Sequence, residues 1–210
     1  MAEAVTTGLI HLTDAEFHEL VTFVKQKYGI ELIKKRVLIE GRLSNLLREK
    51  GLTSFREYLD VLKRDTSGSE ITGFLNRITT NHSYFMREQE HYTFLTKRVL
   101  PDLVRAHQRD HDLRIWSAGC SAGQEAYTLA MAIDDYFGPE KSKWDTTILA
   151  TDISMNVLEK AKRATYPADN LSGLPEAWMT ACCLFSNSMR SSLFTEMFGS
   201  TIIICSCEKS

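Results

Sequence analysis

Two glycines and two acids in the middle of the chain are spaced for ligand chemistry. An apolar run from Leu113 leads into a turn bearing Gly119 and Gly123, and Glu125 opens the periodic segment that follows. A second apolar run, Ile148-Leu-Ala-Thr-Asp152, ends in an acid. This reads as strand, glycine turn, helix, strand. Glycines there permit a tight turn and bring backbone N–H groups close to a ligand. An acid at the end of the next strand is placed to accept hydrogen bonds from ribose hydroxyls. The pattern implies a nucleoside-containing ligand on a doubly wound α/β sheet and leaves its identity open. Taken alone, Glu125 is a first-turn acid favoured by the helix dipole.

The elements that must position these residues follow from periodicity. Thr13-Asp-Ala-Glu16 is a capping box, with Phe17, Leu20, Val21, Val24 and Tyr28 at helical spacing and Gly29 as the stop. A second helix buries Ile39, Leu43, Leu46 and Leu47 and ends at Gly51. Ser54-x-x-Glu57 and Ser67-x-x-Glu70 predict the starts of a third and a fourth. Residues 1–78 are thus expected to form an all-α domain. Thr79 to Arg87 is a connector, and a helix from about Glu88 to Leu100 follows, with Pro101 suited to the first turn of the next. The α/β unit then runs as strand 113–118, helix 124–138, strand 147–151 and helix 154–164. Pro167 is expected to end that helical region, and 170–175 to be a loop.

Composition narrows the function classes. The chain has 210 residues, 43% hydrophobic and 25% charged, with a net charge of −2. That balance argues against bulk electrostatic binding to nucleic acid or an anionic bilayer. No apolar run approaches the roughly 20 residues that span a membrane, and the N-terminus lacks a basic leader. A cytoplasmic monomer is expected. Five cysteines, with Cys182 adjacent to Cys183, make a poor disulfide framework and a poor zinc site. No metal is assigned, and His82 and His91 are expected as loop and helix-surface residues.

Three segments carry a resemblance: Thr79-Thr-Asn-His-Ser-Tyr-Phe-Met-Arg-Glu88, Trp116-Ser-Ala-Gly-Cys-Ser-Ala-Gly-Gln-Glu125 and Ala150-Thr-Asp-Ile153. In that order they resemble the chemotaxis receptor methyltransferase family (CheR), whose members move a methyl group from S-adenosylmethionine to receptor glutamates. The resemblance implies a Rossmann-like S-adenosylmethionine-binding domain over 79–178. It puts Asn81, Ser83, Arg87, Gly119, Gly123, Glu125 and Asp152 at the cofactor, with Glu125 on its amino-acid end. Gln124 and Ala126 stand where the family usually has an acid and often a proline. Arg87 is the candidate to grip the substrate carboxylate by a forked hydrogen bond. Tyr84 and Phe85 are expected in the core at the domain junction. Arg42 and Arg48, on the polar face of the second helix with Lys34 and Asn45, are implied as contacts to the acidic helices of the chemoreceptor's cytoplasmic domain.

The chemistry is consistent with so few catalytic groups. A glutamate acceptor, with a reference pKa of about 4.3, is already ionised near neutral pH and needs no general base. Alignment of donor and acceptor is what the protein must supply, worth about 7–11 kcal/mol in favourable cases. The resemblance stops at Trp178. Residues 179–210 hold only Arg190, Glu196, Glu208 and Lys209 as charges. They are expected to be an aberrant, poorly ordered tail in place of the sheet's continuation, with Thr201–Cys205 able to add one strand. The fold class is therefore α/β, an all-α domain followed by an incomplete methyltransferase domain. Weak cofactor binding is expected of it. The alternatives are an inactive cofactor- or receptor-binding module and an NAD-dependent oxidoreductase. The second is disfavoured because Gly-Cys-Ser-Ala-Gly lacks the three-glycine spacing suited to a pyrophosphate.

Overall fold

The computed structural model describes residues 9–79, 82–182, 184–185, 191–193 and 202–206. The chain divides into two compact units, Met1–Thr79 and Thr80–Ser210. The first is helical: α1 (Asp14–Tyr28), α2 (Arg36–Glu49), α3 (Phe55–Arg64) and α4 (Ser69–Ile78). Thr13 and Glu16 cap each other's backbone reciprocally at the start of α1, and Gly29 closes it in the left-handed conformation. The apolar faces meet in one core, in which Leu20, Val24, Ile39, Leu43, Leu47, Phe55, Tyr58, Leu62 and Phe74 are buried. Each such side chain contributes about 1.5–3 kcal/mol by leaving water.

Two helix starts depart from the expected capping. Ser54 accepts from the Glu57 N–H (3.3 Å), but the Glu57 carboxylate reaches one residue further, to the Thr53 N–H (2.9 Å) and hydroxyl (2.8 Å). At α4 the expected Ser67 box gives way to Asp65. One Asp65 oxygen accepts from the Ser67 and Gly68 N–H groups (3.0 Å each), the other from Glu70 (2.8 Å) and Ile71 (3.2 Å). A carboxylate satisfies four orphan donors where a hydroxyl satisfies one, so it wins the cap.

Hydrogen bonds, the Ser67 hydroxyl's first, hold the Asp65 carboxyl down at about 2, below its ordinary 3.8. A depressed carboxylate stabilises the fold above its unfolded pKa, and that contribution is lost as pH falls toward 2. Asp65→Ala should therefore lower the thermal midpoint at neutral pH. The gap from wild type should narrow between pH 5 and 2.5; a gap that stays constant over that range contradicts the assignment.

The second unit opens with α5 (Gln89–Phe94), which runs through a π-helical turn at Leu95–Val99 into α6 (Leu100–Ala106). Pro101 lies in the first turn of α6, as expected, but no break precedes it. The wider turn, with the Leu100 N–H reaching Leu95 O, lets the helix continue into a proline. Then come β1 (Ile115–Ala118), α7 (Gln124–Phe137), β2 (Ile148–Asp152) and α8 (Met155–Arg163). After α8 the chain gives β3 (Thr165–Pro167), α9 (Glu176–Cys182), β4 (Leu184–Phe185), β5 (Ser191–Leu193) and β6 (Ile202–Ser206).

Strands β1, β2 and β6 form a parallel sheet in that order, with Ile115, Ile148 and Ile202 in one row. One face, including Ile148, Ala150, Ile202 and Ile204, packs in a core with Ala126, Ala130 and Ile133 of α7 and Leu158 of α8. The next row, Trp116, Leu149 and Ile203, points the other way, where Trp116 is 65% and Ile203 48% exposed.

A second sheet, antiparallel in the order β3-β5-β4, replaces the end of the helical region expected at Pro167. Within 179–210 the described strands β4, β5 and β6 are paired, and β6 is the strand anticipated at Thr201–Cys205. Residues 179–182 end α9, and the remainder of the expected disordered tail lies outside the described residues.

Candidate functional site

A cavity of about 590 Å³, within the range of small-molecule sites, opens at the C-terminal end of β1 and β2. Ser83, Arg87, Gly119, Glu125 and Asp152 all line it. Gly123 does not, and Asn81 lies outside the described residues. Helix α5 and the π turn supply a further wall through His91, Tyr92, Phe94, Leu95 and Val99.

The turn after β1 is built around the end of β2. The N–H groups of Gly119 and Cys120 both donate to Thr151 O (2.8 Å each), that of Gly123 donates to Cys120 O (2.9 Å), and that of Ser121 to Asp152 Oδ2 (2.9 Å). These four donors are spent inside the protein, which corrects the expectation that the turn's N–H groups approach a ligand. A pyrophosphate would need them free. What the turn gives the cavity is Gly119, at φ +91 with open space where a Cβ would stand, and Ser121. Gly123, at φ +95, packs instead against Tyr127, Tyr166 and Ala161.

Asp152 is 7% exposed at the end of β2. Its second oxygen accepts from the Ser154 N–H (2.9 Å), so it links the glycine turn to the start of α8. A carboxylate has about four acceptor sites, and two remain for ligand hydroxyls. Glu125 is exposed at the start of α7, its Oε1 fixed by the Ser117 hydroxyl at 2.6 Å.

Arg87 sits between Met86 and Glu88, both left-handed (φ 58 and 57). Residues with side chains pay about 1–2 kcal/mol for that backbone. Buried Phe85 anchors the segment against Tyr166 (ring centroids 5.0 Å), and the Met86 N–H reaches the Thr128 hydroxyl at 3.4 Å. The Arg87 guanidinium is exposed and donates to His82 O at 3.2 Å. Phe85 takes the expected core role, but Tyr84 does not: it is 49% exposed, lines the cavity and lies against His82. His82 and His91 are exposed on the cavity wall.

In the helical unit Arg42 is committed locally. Its guanidinium donates to Arg77 O (3.2 Å) and Thr79 O (2.9 Å), satisfying carbonyls at the end of α4. Arg48 is exposed and bonds to Asn45 and to Ser44 O. The sequence reading did not single out Tyr92, Leu95 or Val99. Their signal was available: Glu88, Tyr92, Leu95 and Val99 recur at helical spacing on one face.

Comparison with known proteins identifies a family for both parts of the chain. Residues 15–79 match the CheR methyltransferase all-alpha domain, and 81–199 the CheR methyltransferase SAM binding domain. The second match continues past Trp178, where the motif resemblance ends. The chain is 41% identical to a chemotaxis protein methyltransferase of Borreliella burgdorferi over 170 residues, 80% of this chain and 60% of the relative. It is 35% identical to that of Escherichia coli and 34% to that of Salmonella typhimurium, each over 80% of this chain and 56% of the relative. It thus spans somewhat over half the length of these relatives. Among the described residues no helix is long and apolar enough to cross a membrane. With an all-alpha domain and an S-adenosylmethionine-binding domain matched in succession, the chain belongs to the CheR methyltransferase family.

Proposed function

We propose that this chain binds S-adenosylmethionine in the 590 Å³ cavity and transfers its methyl group to glutamate side chains in the cytoplasmic part of a chemoreceptor. The observation that carries this is the convergence of Ser83, Arg87, Glu125 and Asp152 on one cavity beside a turn in which the N–H groups of Gly119, Cys120, Ser121 and Gly123 are already used. The donor set fits a ligand with an ammonium and ribose hydroxyls and no phosphate, which disfavours NAD. When bound, the cofactor supplies an electrophilic methyl on a sulfonium.

The chain's own residues bind and align. Glu125, oriented by Ser117, pairs with the ammonium. Asp152 accepts from the ribose, and the Ser83 hydroxyl, with Asn81 beside it in sequence, completes the contacts. Arg87 holds the acceptor carboxylate, which arrives ionised and leaves no proton to be moved. Arg48, and Arg42 as far as its carbonyl contacts allow, meet the receptor's acidic helices. Receptor methylation of this kind takes place in the cytoplasm.

The test is transfer of a radiolabelled methyl group to receptor, alongside calorimetry with S-adenosylhomocysteine and NAD. Binding of the first without NAD binding, together with labelled receptor, is expected; binding without transfer would make the chain a binding module. Arg87→Lys should cut turnover about tenfold to a hundredfold, because a point charge cannot reproduce the planar fork. Its affinity for S-adenosylhomocysteine should change much less. Undiminished turnover would remove Arg87 from the substrate.

A further inference from the structure

We infer that Glu88 is a built-in competitor for Arg87: its carboxylate pairs with the guanidinium in the empty site, a ligand carboxylate must displace it, and it returns when the ligand's charge is lost. This rests on the reading of Arg87 given above. Glu88 follows Arg87 directly and lines the same cavity. Its Oε1 lies 4.0 Å from Arg87 Nε, and its Oε2 lies 3.1 Å from Nδ1 of His91, a third residue of the cavity wall.

These contacts leave Arg87 paired but not clamped. Nη1 donates to His82 O at 3.2 Å, while Nε faces Glu88 at a distance longer than a hydrogen bond. Among the described residues Nη2 has no hydrogen-bond partner. An ion pair between side chains 53% and 57% exposed is weak. A ligand carboxylate that accepts from two guanidinium N–H groups in a fork is held more strongly and displaces it. A carboxylate only accepts, so Nδ1 of His91 carries the proton in its bond to Glu88. Glu88 therefore keeps a partner when a ligand takes Arg87, and no charge is stranded.

Methyl transfer reverses the balance. An acceptor oxygen bonds to the methyl carbon as the carbon–sulfur bond breaks, and the electron pair of that bond stays on sulfur. The sulfonium and carboxylate charges both vanish, and no proton moves. A neutral ester loses the charge-assisted part of its hold on Arg87, whereas Glu88 retains its own. The internal pair re-forms and the ester is released. The amino-acid end of the cofactor also carries a carboxylate, so two ligands offer the chemistry that displaces Glu88; the acceptor is the one expected.

The test is calorimetry on the 210-residue chain and its Glu88→Gln variant. The nucleoside probes are S-adenosylhomocysteine and 5′-methylthioadenosine, which has no amino-acid end. With S-adenosylhomocysteine present, the acceptor probes are receptor cytoplasmic fragments bearing glutamate or glutamine at the methylation positions. Glu88→Gln should tighten the glutamate fragment about twofold to fivefold, the range of an exposed ion pair. The glutamine fragment should change less, and 5′-methylthioadenosine not at all. His91→Ala should weaken the glutamate fragment, because Glu88 then turns wholly to Arg87; in the Glu88→Gln background it should have no effect. Glu90→Gln, which removes a neighbouring acid outside the cavity lining, should change nothing. Tightening of S-adenosylhomocysteine, with the glutamate fragment unchanged, would keep Glu88 as the competitor and assign the displacing carboxylate to the cofactor. Unchanged affinity for both overturns the proposal, and so does equal tightening by Glu88→Gln and Glu90→Gln, which would mark a general charge effect. A wild-type chain that binds no probe overturns instead the reading of the cavity on which this rests.

Discussion

Replacing Asp152 with alanine is expected to weaken S-adenosylhomocysteine binding by about 1.5–3 kcal/mol, the scale of lost charge-assisted hydrogen bonds. It should also cost stability. Asp152 holds the N–H of Ser121, a residue in left-handed backbone at φ 52, and that of Ser154. Removing the carboxylate leaves two buried donors without their partner, at about 1–3 kcal/mol each where no water replaces it. Asp152→Asn separates the two roles: its volume is kept, but one of the two oxygens becomes a donor facing an N–H. The asparagine variant should lose less stability than alanine and still bind more weakly than wild type. Urea melts and calorimetry read the two quantities separately. A folded Asp152→Ala protein with unaltered affinity would remove the ribose assignment and leave Asp152 a purely structural strap.

What was legible in the sequence depended on the length over which a signal repeats. The α1 cap and stop, and the α7 and β2 spans, come from periodic runs of five residues or more and fall within one or two residues of the structure. The α4 cap was misread because Ser67-x-x-Glu70 matches a box on paper while Asp65, two residues earlier, offers two oxygens to the same donors. Strands of two or three residues, such as β3, β4 and β5, have no period to detect. Their consequence was hidden as well. Tyr166 in β3 donates to Ala122 O at 2.6 Å and packs beneath the glycine turn, a contact 44 residues apart in sequence. At the site, Gly119 and Asp152 follow from the strand-turn-helix-strand pattern. Ser83 and Arg87 came only from resemblance, because an irregular connector has no face on which to place them.

The two turn glycines, equivalent in the sequence, should respond in opposite ways to the same methyl group. At Gly123 an added Cβ would stand 2.9 Å from Tyr127 Cε2 and from the Tyr166 hydroxyl oxygen, and 3.0 Å from Ala161 Cβ. Neither ring can easily retreat, since Tyr127 donates to Ala161 O (2.9 Å) and Tyr166 to Ala122 O, and both are buried. Left-handed backbone adds its own penalty for a residue with a Cβ. Gly123→Ala should therefore destabilise the second unit by roughly 2–5 kcal/mol, overpacking and backbone strain together. At Gly119 the methyl meets no atom within 4 Å, so Gly119→Ala should cost only the backbone term, about 1–2 kcal/mol. Gly119 lines the cavity, however, and the added methyl takes space there. Its variant should stay folded while binding S-adenosylhomocysteine more weakly, whereas Gly123→Ala should shift the urea midpoint far more. The opposite ranking, with Gly119→Ala the less stable and Gly123→Ala the weaker binder, would mean that the turn presents its other side to the ligand.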